Sequence, residues 1–144
     1  MKKESFIRWQ SITITQLSYV VNLILGLSVA SLGFQVNILL GGNIAATNSW
    51  QECILIISMF SLLASVALGI FCVINRLLDF RATKEAAKMR EENKSEEEIQ
   101  KYRDLYDTLG KRTWKIFWWQ IGFFSLGILL FIIGITPSIV KNLT

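Results

Sequence analysis

The residues best suited to acid–base chemistry are five glutamates near the middle of the chain. They are Glu91, Glu92, Glu96, Glu97 and Glu98. Paired carboxylates can transfer protons as a general acid and a general base. These glutamates fall in the most hydrophilic part of the sequence with lysines nearby, a pattern typical of a solvated helix face. We therefore expect no catalysis by carboxylates.

Residues for nucleophilic or metal chemistry are scarce. The sequence has no histidine, which removes imidazole metal ligands and the commonest general base. Cys53 and Cys72 would lie roughly 28 Å apart on one helix, too far for a disulfide. Neither a glycine-rich phosphate loop nor a nucleophile elbow is present. We expect no catalytic residue, no metal, no cofactor and no enzyme activity.

The composition indicates a membrane protein. Of 144 residues, 52% are hydrophobic and 18% are charged, which is too apolar for an ordinary soluble domain. Charged residues are absent from 9–51, 53–75 and 116–140. Each of these runs reaches the roughly 20 residues that a helix needs to cross about 30 Å of hydrocarbon.

The first uncharged run is too long for one span, and Gly41-Gly42-Asn43 with Asn48-Ser49 supplies residues that break a helix. We expect an all-α integral membrane protein with three transmembrane helices and a cytoplasmic antiparallel helical hairpin between the second and third. The expected segments are a cytoplasmic N-terminus (1–12), transmembrane helix 1 (13–37), an external loop (38–52), transmembrane helix 2 (53–75), the hairpin (76–115), transmembrane helix 3 (116–136) and an external C-terminus (137–144).

The basic residues predict the orientation. Lys2, Lys3 and Arg8 precede the first span, eleven lie within 76–115, and Lys141 alone follows the third span. The positive-inside rule therefore places the N-terminus and the hairpin in the cytoplasm and the C-terminus outside. These membrane flanks also explain the net charge of +4. Because no basic stripe carries interleaved aromatic residues, we expect no nucleic-acid partner.

A signal peptide is the alternative interpretation of the N-terminus. Lys2 and Lys3 precede an apolar run, and Val29-Ala30-Ser31 offers small residues for cleavage. The apolar run is longer than the core of a usual signal peptide, and Glu4 and Arg8 interrupt its approach. We therefore favour an uncleaved anchor.

Small and weakly polar residues recur along all three spans, often at intervals of seven. A seven-residue interval keeps one seam of a helix facing its partner, and small side chains allow close approach in lipid. We expect this packing stripe to hold one bundle together, with an oligomer or a polar path as the alternative. The packing stripe consists of Asn22, Gly26, Gly33, Ser58, Ser65, Cys72, Gly127 and Gly134.

Asn22 is interpreted as the one strongly polar side chain deep within a span. An amide buried in hydrocarbon without a hydrogen bond costs several kcal/mol. We therefore expect Asn22 to bond a serine or a backbone carbonyl on a neighbouring helix. The spans contain no charge, so a proton relay within the membrane has no candidate residue.

The charged segment between the second and third spans predicts two helices. Residues 53–92 contain no proline, so the second span should continue beyond the membrane as one helix. Ser95-Glu96-Glu97-Glu98 fits a capping box that starts a new helix. Gly110 is a suitable end for that helix, just before Lys111 and Arg112.

The new helix has one apolar face. We expect this face to pack on Leu77, Phe80, Ala87 or their neighbours in an antiparallel hairpin. The opposing face of the second-span helix carries mainly alanines. Part of the apolar face of the new helix is therefore also a candidate surface for a second copy or another protein. The candidate partner surface consists of Ile99, Tyr102, Tyr106 and Leu109.

Tryptophans mark the expected membrane interfaces. Indole rings favour the headgroup level, where the ring is apolar and the N–H stays hydrated. The cluster at the start of the third span follows basic residues that would repel a cationic ligand and attract anionic lipid. The expected interfacial anchors are Trp9, Trp50, Trp114, Trp118 and Trp119.

A short motif stands where the second span leaves the membrane. Residues 75–83 read Asn-Arg-Leu-Leu-Asp-Phe-Arg-Ala-Thr, which resembles an N-R-L-x-D-F-R-x-T pattern of small bacterial inner-membrane proteins. The layout is also similar to short multi-span effectors of bacterial antiphage systems. The resemblance implies a bacterial inner membrane.

The motif supplies a membrane-exit charge cluster of Arg76, Asp79 and Arg81. Arg76 and Asp79 are three residues apart on a helix, so we expect them to pair. Phe80 is expected to turn toward lipid or the bundle. A simple stop-transfer flank is the alternative, but such a flank needs only positive charge, and an acid between two arginines weakens it.

These features favour a non-catalytic adaptor or effector subunit whose hairpin binds a partner and couples it to the membrane helices. One alternative is an oligomeric pore that depolarises the membrane. Another is an accessory subunit of a transporter or secretion complex. The expected partners are membrane lipid together with a second copy, a cytoplasmic protein or a membrane protein.

Overall fold

The computed structural model describes the backbone of residues 2–41, 49–92 and 95–143, and the side chains of 12–41, 49–92 and 95–140. This part of the chain forms three α-helices. They are α1 (Lys2–Leu40), α2 (Ser49–Glu91) and α3 (Glu96–Leu143). Each helix is long and apolar enough to cross a membrane, which confirms the predicted all-helical architecture with three candidate spans.

The helix ends lie close to the predicted breaks. Helix α1 ends at Leu40, where the Gly41 N–H donates to the Asn37 carbonyl at 2.9 Å. Residues 42–48, which include most of the predicted turn, lie outside the described residues. Helix α2 begins at Ser49, so Trp50 and Gln51 belong to its first turn and not to the predicted external loop.

The charged segment contains two helices, as expected, but the second helix does not end where the sequence suggested. Helix α3 begins directly after Ser95 and passes through Gly110 to Leu143. The Asn75 side chain bonds the Leu109 carbonyl and the Thr113 hydroxyl, at 2.8 and 2.7 Å. A turn at Gly110 would break these contacts, which outweigh the roughly 1 kcal/mol that glycine costs inside a helix.

Pro137 also lies inside α3, beyond the predicted end of the third span at residue 136. Proline has no N–H, so the bond that would normally reach the Ile133 carbonyl is missing. The helix nevertheless continues for another turn and a half, and Ser138 is buried after the proline. Helix α3 therefore extends beyond the predicted end of the third span.

Helix α2 lies at the centre of the packing. It runs antiparallel to α3 along most of its length, and α1 packs chiefly on α2. Each helix buries a residue every seven positions, an interval that matches a left-handed supercoil. This heptad seam consists of Val21, Ser28 and Gln35 on α1; Gln51, Ser58, Ser65 and Cys72 on α2; and Thr113, Gln120, Gly127 and Gly134 on α3.

Two glycines of the seam allow α2 and α3 to approach closely. A Cβ atom on Gly127 would lie 2.7 Å from Leu62 Cγ, and one on Gly134 would lie 2.9 Å from Leu55 Cδ2. Both distances are shorter than van der Waals contact, so a larger residue would have to push the helices apart.

We expect Gly127→Leu to destabilise the bundle by about 1–3 kcal/mol, because the added side chain meets Leu62. In a Cys53→Ser background the buried Cys72 is the single thiol. Its reaction with a fluorogenic maleimide during heating in detergent reports unfolding. Gly122→Leu is the matched control on the same helix, since a Cβ there meets nothing within 4 Å. Equal losses in the two variants would contradict the close contact.

Candidate functional site

Serine hydroxyls of α2 donate hydrogen bonds to backbone carbonyls of α3. Membrane helices commonly gain specificity from such bonds, since apolar contact alone does not distinguish helix from lipid. The bonds are Ser58 Oγ to Gly127 O at 2.8 Å, Ser61 Oγ to Phe123 O at 2.8 Å, and Ser65 Oγ to Gln120 O at 3.2 Å. Together they fix the antiparallel register of the two helices.

Buried glutamines extend this polar ladder to α1. Gln35 is 1% exposed and its Nε2 donates to Ser58 Oγ at 2.9 Å. Gln120 is fully buried and its Nε2 donates to the Val21 carbonyl at 3.4 Å. Among the described residues, neither Oε1 atom has a hydrogen-bond partner. The polar ladder is therefore unsatisfied at two acceptors.

Sequence reasoning missed these glutamines by treating Asn22 as the one strongly polar residue within a span. The sequence signal for these buried contacts is that Gln35 and Gln120 lie inside uncharged runs. Gln51, which lies within the predicted external loop, is buried and donates to the Gly134 carbonyl at 3.2 Å. An amide inside an apolar run marks a helix contact because its desolvation demands a partner.

The predicted packing stripe lies in the heptad seam on two helices only. Ser58, Ser65, Cys72, Gly127 and Gly134 all lie in the heptad seam. On α3 and α2 the small residues therefore mark the surface where the two helices meet.

On α1 the stripe faces away from the bundle. Asn22, Gly26 and Gly33 are exposed, and no described residue hydrogen-bonds the Asn22 side chain. Asn22 is therefore not buried against another helix within the described part of the chain. The buried face lies about 140° around the helix, where Ser28 Oγ is 3.1 Å from Ser65 Oγ. Hydrogen bonds made by Ser28 and Gln35, and not close packing of the glycines, set the register of α1.

Arg76 anchors the membrane-exit charge cluster, but not through the predicted ion pair. Its side chain is 9% exposed, and Nη2 donates to the Ile14 carbonyl of α1. Its guanidinium carbon lies 5.6 Å from the centroid of the half-exposed Phe80 ring. Among the described charged residues, Arg76 and Asp79 form no ion pair. The guanidinium turns toward α1, where a carbonyl accepts it, and Arg81 stays exposed.

Asp79 turns toward α3 and not toward α1. It lines a cavity with Tyr106, Asp107 and Lys111. Partial burial raises the pKa of Asp79, the positive charge of Arg76 opposes this shift, and the negative charge of Asp107 adds to it. Arg76 and Asp79 therefore lie on different faces of α2. The Arg76 face contacts α1, and the Asp79 face contacts α3.

The candidate partner surface on α3 is used largely within the chain. Ile99 is 4% exposed, and Tyr102, Tyr106 and Leu109 are half-buried. Ala82 and Ala86 form the buried face of α2 in this region. The residues first expected opposite the stripe, Leu77, Phe80 and Ala87, are exposed. Ala82 and Ala86 form the contact instead, because their small side chains let the two helices pack closely.

The described side chains of the expected anchors are exposed, so their indole rings can reach a membrane interface. Trp50 is exposed in the first turn of α2, and Trp114, Trp118 and Trp119 are exposed on α3. The Trp9 side chain lies outside the described residues. Exposed indoles at these positions suit the headgroup level of a bilayer.

No family model matches the chain, and no curated protein or solved structure matches it. Within the described ranges, no group of three or more His, Cys, Asp or Glu side chains is placed to hold a metal ion. The exposed Cys53 and the buried Cys72 are both free thiols. The buried polar chemistry of the described chain is thus dominated by hydroxyls, amides and one arginine, groups suited to helix contact and binding.

We expect Ser58→Ala to destabilise the bundle by about 0.5–2 kcal/mol, because it removes a donor to Gly127 and the acceptor of Gln35. Gln35→Leu should cost less in the Ser58→Ala background than in the wild type, since the amide is already unpaired there. A double-mutant cycle of unfolding free energies in detergent measures this coupling. Strictly additive effects would contradict the Gln35–Ser58 bond.

Proposed function

We propose that the chain is a multi-pass protein of a bacterial inner membrane that acts as a non-catalytic adaptor or effector subunit. Three helices of sufficient length and hydropathy support the membrane placement. Fourteen of fifteen basic residues on one side support a cytoplasmic N-terminus and a cytoplasmic hairpin of 76–115. The likeness of residues 75–83 to a bacterial inner-membrane motif supports the choice of membrane.

The observation that carries this proposal is the continuity of α2 and α3. Helix α2 has 43 residues and α3 has 48, which correspond to about 64 and 72 Å. Neither helix breaks where the apolar sequence becomes charged. Helix contacts continue up to this boundary, through Ser58 and Gly127 within the apolar part and through Asn75 and Thr113 at its edge.

A stiff pair of helices provides a means of coupling. A partner that binds the cytoplasmic tip and displaces it would move the connected spans, because the described part of the pair has no internal break to absorb the motion. Helix α1 packs chiefly on α2. It would therefore either move together with α2 or separate from it. The tip carries exposed glutamates, such as Glu91 and Glu96, while the apolar stripe is turned inward, so the partner contact is expected to be polar.

One observation favours the oligomeric pore as a second candidate. Asn22 is exposed on the surface of a single chain, at a position that the apolar sequence places within a span. A second copy could cover this amide, and several copies could line a polar path with it. In that case the chain alone would depolarise a membrane, without any partner at the hairpin.

We expect forced association of the hairpins to trigger a response in the membrane. A domain that dimerises on addition of a small molecule is inserted in the connection at 92–95, and a dye follows membrane potential in bacterial cells. Depolarisation should appear only after the small molecule is added. Depolarisation without it, lost in Asn22→Leu, would favour the pore.

The coupling itself is tested by breaking α2. Three glycines inserted after Arg81 should abolish the response, since each glycine costs about 1 kcal/mol inside a helix. The matched control places the same three glycines after Glu92, in the connection between the helices, and should retain the response. Equal responses of the two insertions, or no response to dimerisation, would contradict the adaptor mechanism.

A further inference from the structure

A small cavity lies between α1 and α2 beside Arg76. Its volume is about 100 Å³, larger than the roughly 30 Å³ that one water occupies in the liquid. The buried residues Val21, Cys72 and Arg76 line its inner part. Asn22 and Leu77 are exposed at its rim, so the cavity opens to the surroundings of the helices.

Arg76 lines this cavity and has one donor without a partner among the described residues. Nη2 donates to the Ile14 carbonyl, but Nη1 is buried and has no hydrogen-bond partner among the described residues. The side chain as a whole is 9% exposed. A buried guanidinium is a permanent cation with five donors, and leaving one unpaired carries a substantial desolvation cost. An anionic acceptor in the cavity would remove that cost.

The other polar groups of the cavity can also donate to an anion. Ser18 and Asn22 of α1 line it opposite Arg76, and a hydroxyl and an amide can each donate to a phosphate oxygen. The Asn22 side chain is exposed. Arginine, hydroxyl and amide donors around one opening form a site for a phosphate group.

The outer end of the cavity, at Arg76, lies where the uncharged sequence of α2 ends, which is the level expected for the headgroup region of the bilayer. Cys72 Sγ at its inner wall is 3.9 Å from the Thr113 carbonyl, and the next residue is the exposed Trp114. Tryptophans of this kind mark the membrane–water interface. At the rim, Leu77 and Phe80 are exposed and offer apolar surface to acyl chains.

We propose that this cavity binds the phosphate group of an anionic phospholipid in the cytoplasmic leaflet. The Arg76 guanidinium is the principal donor, Ser18 and Asn22 complete the site, and the acyl chains lie outside along Leu77 and Phe80. The inference rests on the proposed membrane placement of the chain. The lipid would link α1 to α2 at the membrane exit, where Arg76 already bonds Ile14.

The test is native mass spectrometry of the full chain in detergent, titrated with dioleoylphosphatidylglycerol, dioleoylphosphatidylcholine or inorganic phosphate. Phosphatidylglycerol should bind most tightly, because choline neutralises the charge of its own phosphate. Arg76→Gln should weaken phosphatidylglycerol binding by about tenfold, the effect of one hydrogen bond to a charged group. Arg81→Gln, the matched control at an exposed arginine, should change it by less than about twofold.

A second variant separates binding from folding. Ser18→Leu fills the cavity and keeps Arg76, and it should also weaken phosphatidylglycerol binding. Shielding of Cys72 from maleimide in a Cys53→Ser background shows that each variant is folded, since Cys72 is 1% exposed.

Three outcomes would overturn the proposal. The first is an equal loss of phosphatidylglycerol binding in Arg76→Gln and Arg81→Gln, and the second is unchanged binding in Ser18→Leu. The third is binding of inorganic phosphate as tight as that of the lipid, which would indicate that the site takes an anion from solution. Failure of the proposed function is observed separately. A chain that stays in solution after detergent-free lysis and ultracentrifugation contradicts the membrane placement, whatever the lipid titration shows.

Discussion

Polar groups buried between apolar helices must find their hydrogen-bond partners within the protein, and this constraint organises the described parts of the three helices. Three serines of α2 bond carbonyls of α3, and one of them also accepts from Gln35 of α1. Lipid cannot replace these bonds, so they favour one arrangement of the helices. The central position of α2 follows from its heptad of polar residues.

The same constraint explains the small residues on α3. A hydroxyl reaches a carbonyl of another helix only if the two backbones lie close together, and side chains at the contact would prevent this. Gly127 supplies both the space and the acceptor for Ser58. In the charged part of α2, the buried Ala82 and Ala86 likewise allow close approach to the returning helix. One close-packed pair of helices therefore extends from the apolar part into the charged part, which is the basis of the proposed coupling.

The helices, most of their ends and the seam on α2 could be predicted from the sequence, because charge segregation and seven-residue spacing are local signals. The face of α1 could not be predicted in the same way. Its span has small or polar residues on several faces, and only pairing of Ser28 and Gln35 with α2 decides among them.

Two further errors have the same origin. The sequence around Gly110 resembles a helix end, but contacts of Asn75 with Leu109 and Thr113 extend across it. Asp79 has the correct spacing to pair with Arg76, but a carbonyl of α1 takes the guanidinium instead. In each case a contact between helices, which spacing along one helix does not reveal, overrides the local preference.

The register of α1 against α2 is the most direct measure of whether buried polar pairs set the fold. In a Cys53→Ser, Cys72→Ala background with a protease site in 42–48, the pair Ser28→Cys and Ser65→Cys is oxidised in native membranes. The 3.1 Å separation of the two hydroxyls predicts a disulfide that holds the cleaved fragments together on a non-reducing gel. Gly26→Cys with Ser65→Cys should not cross-link. Cross-linking of the 26/65 pair in place of the 28/65 pair would contradict the account.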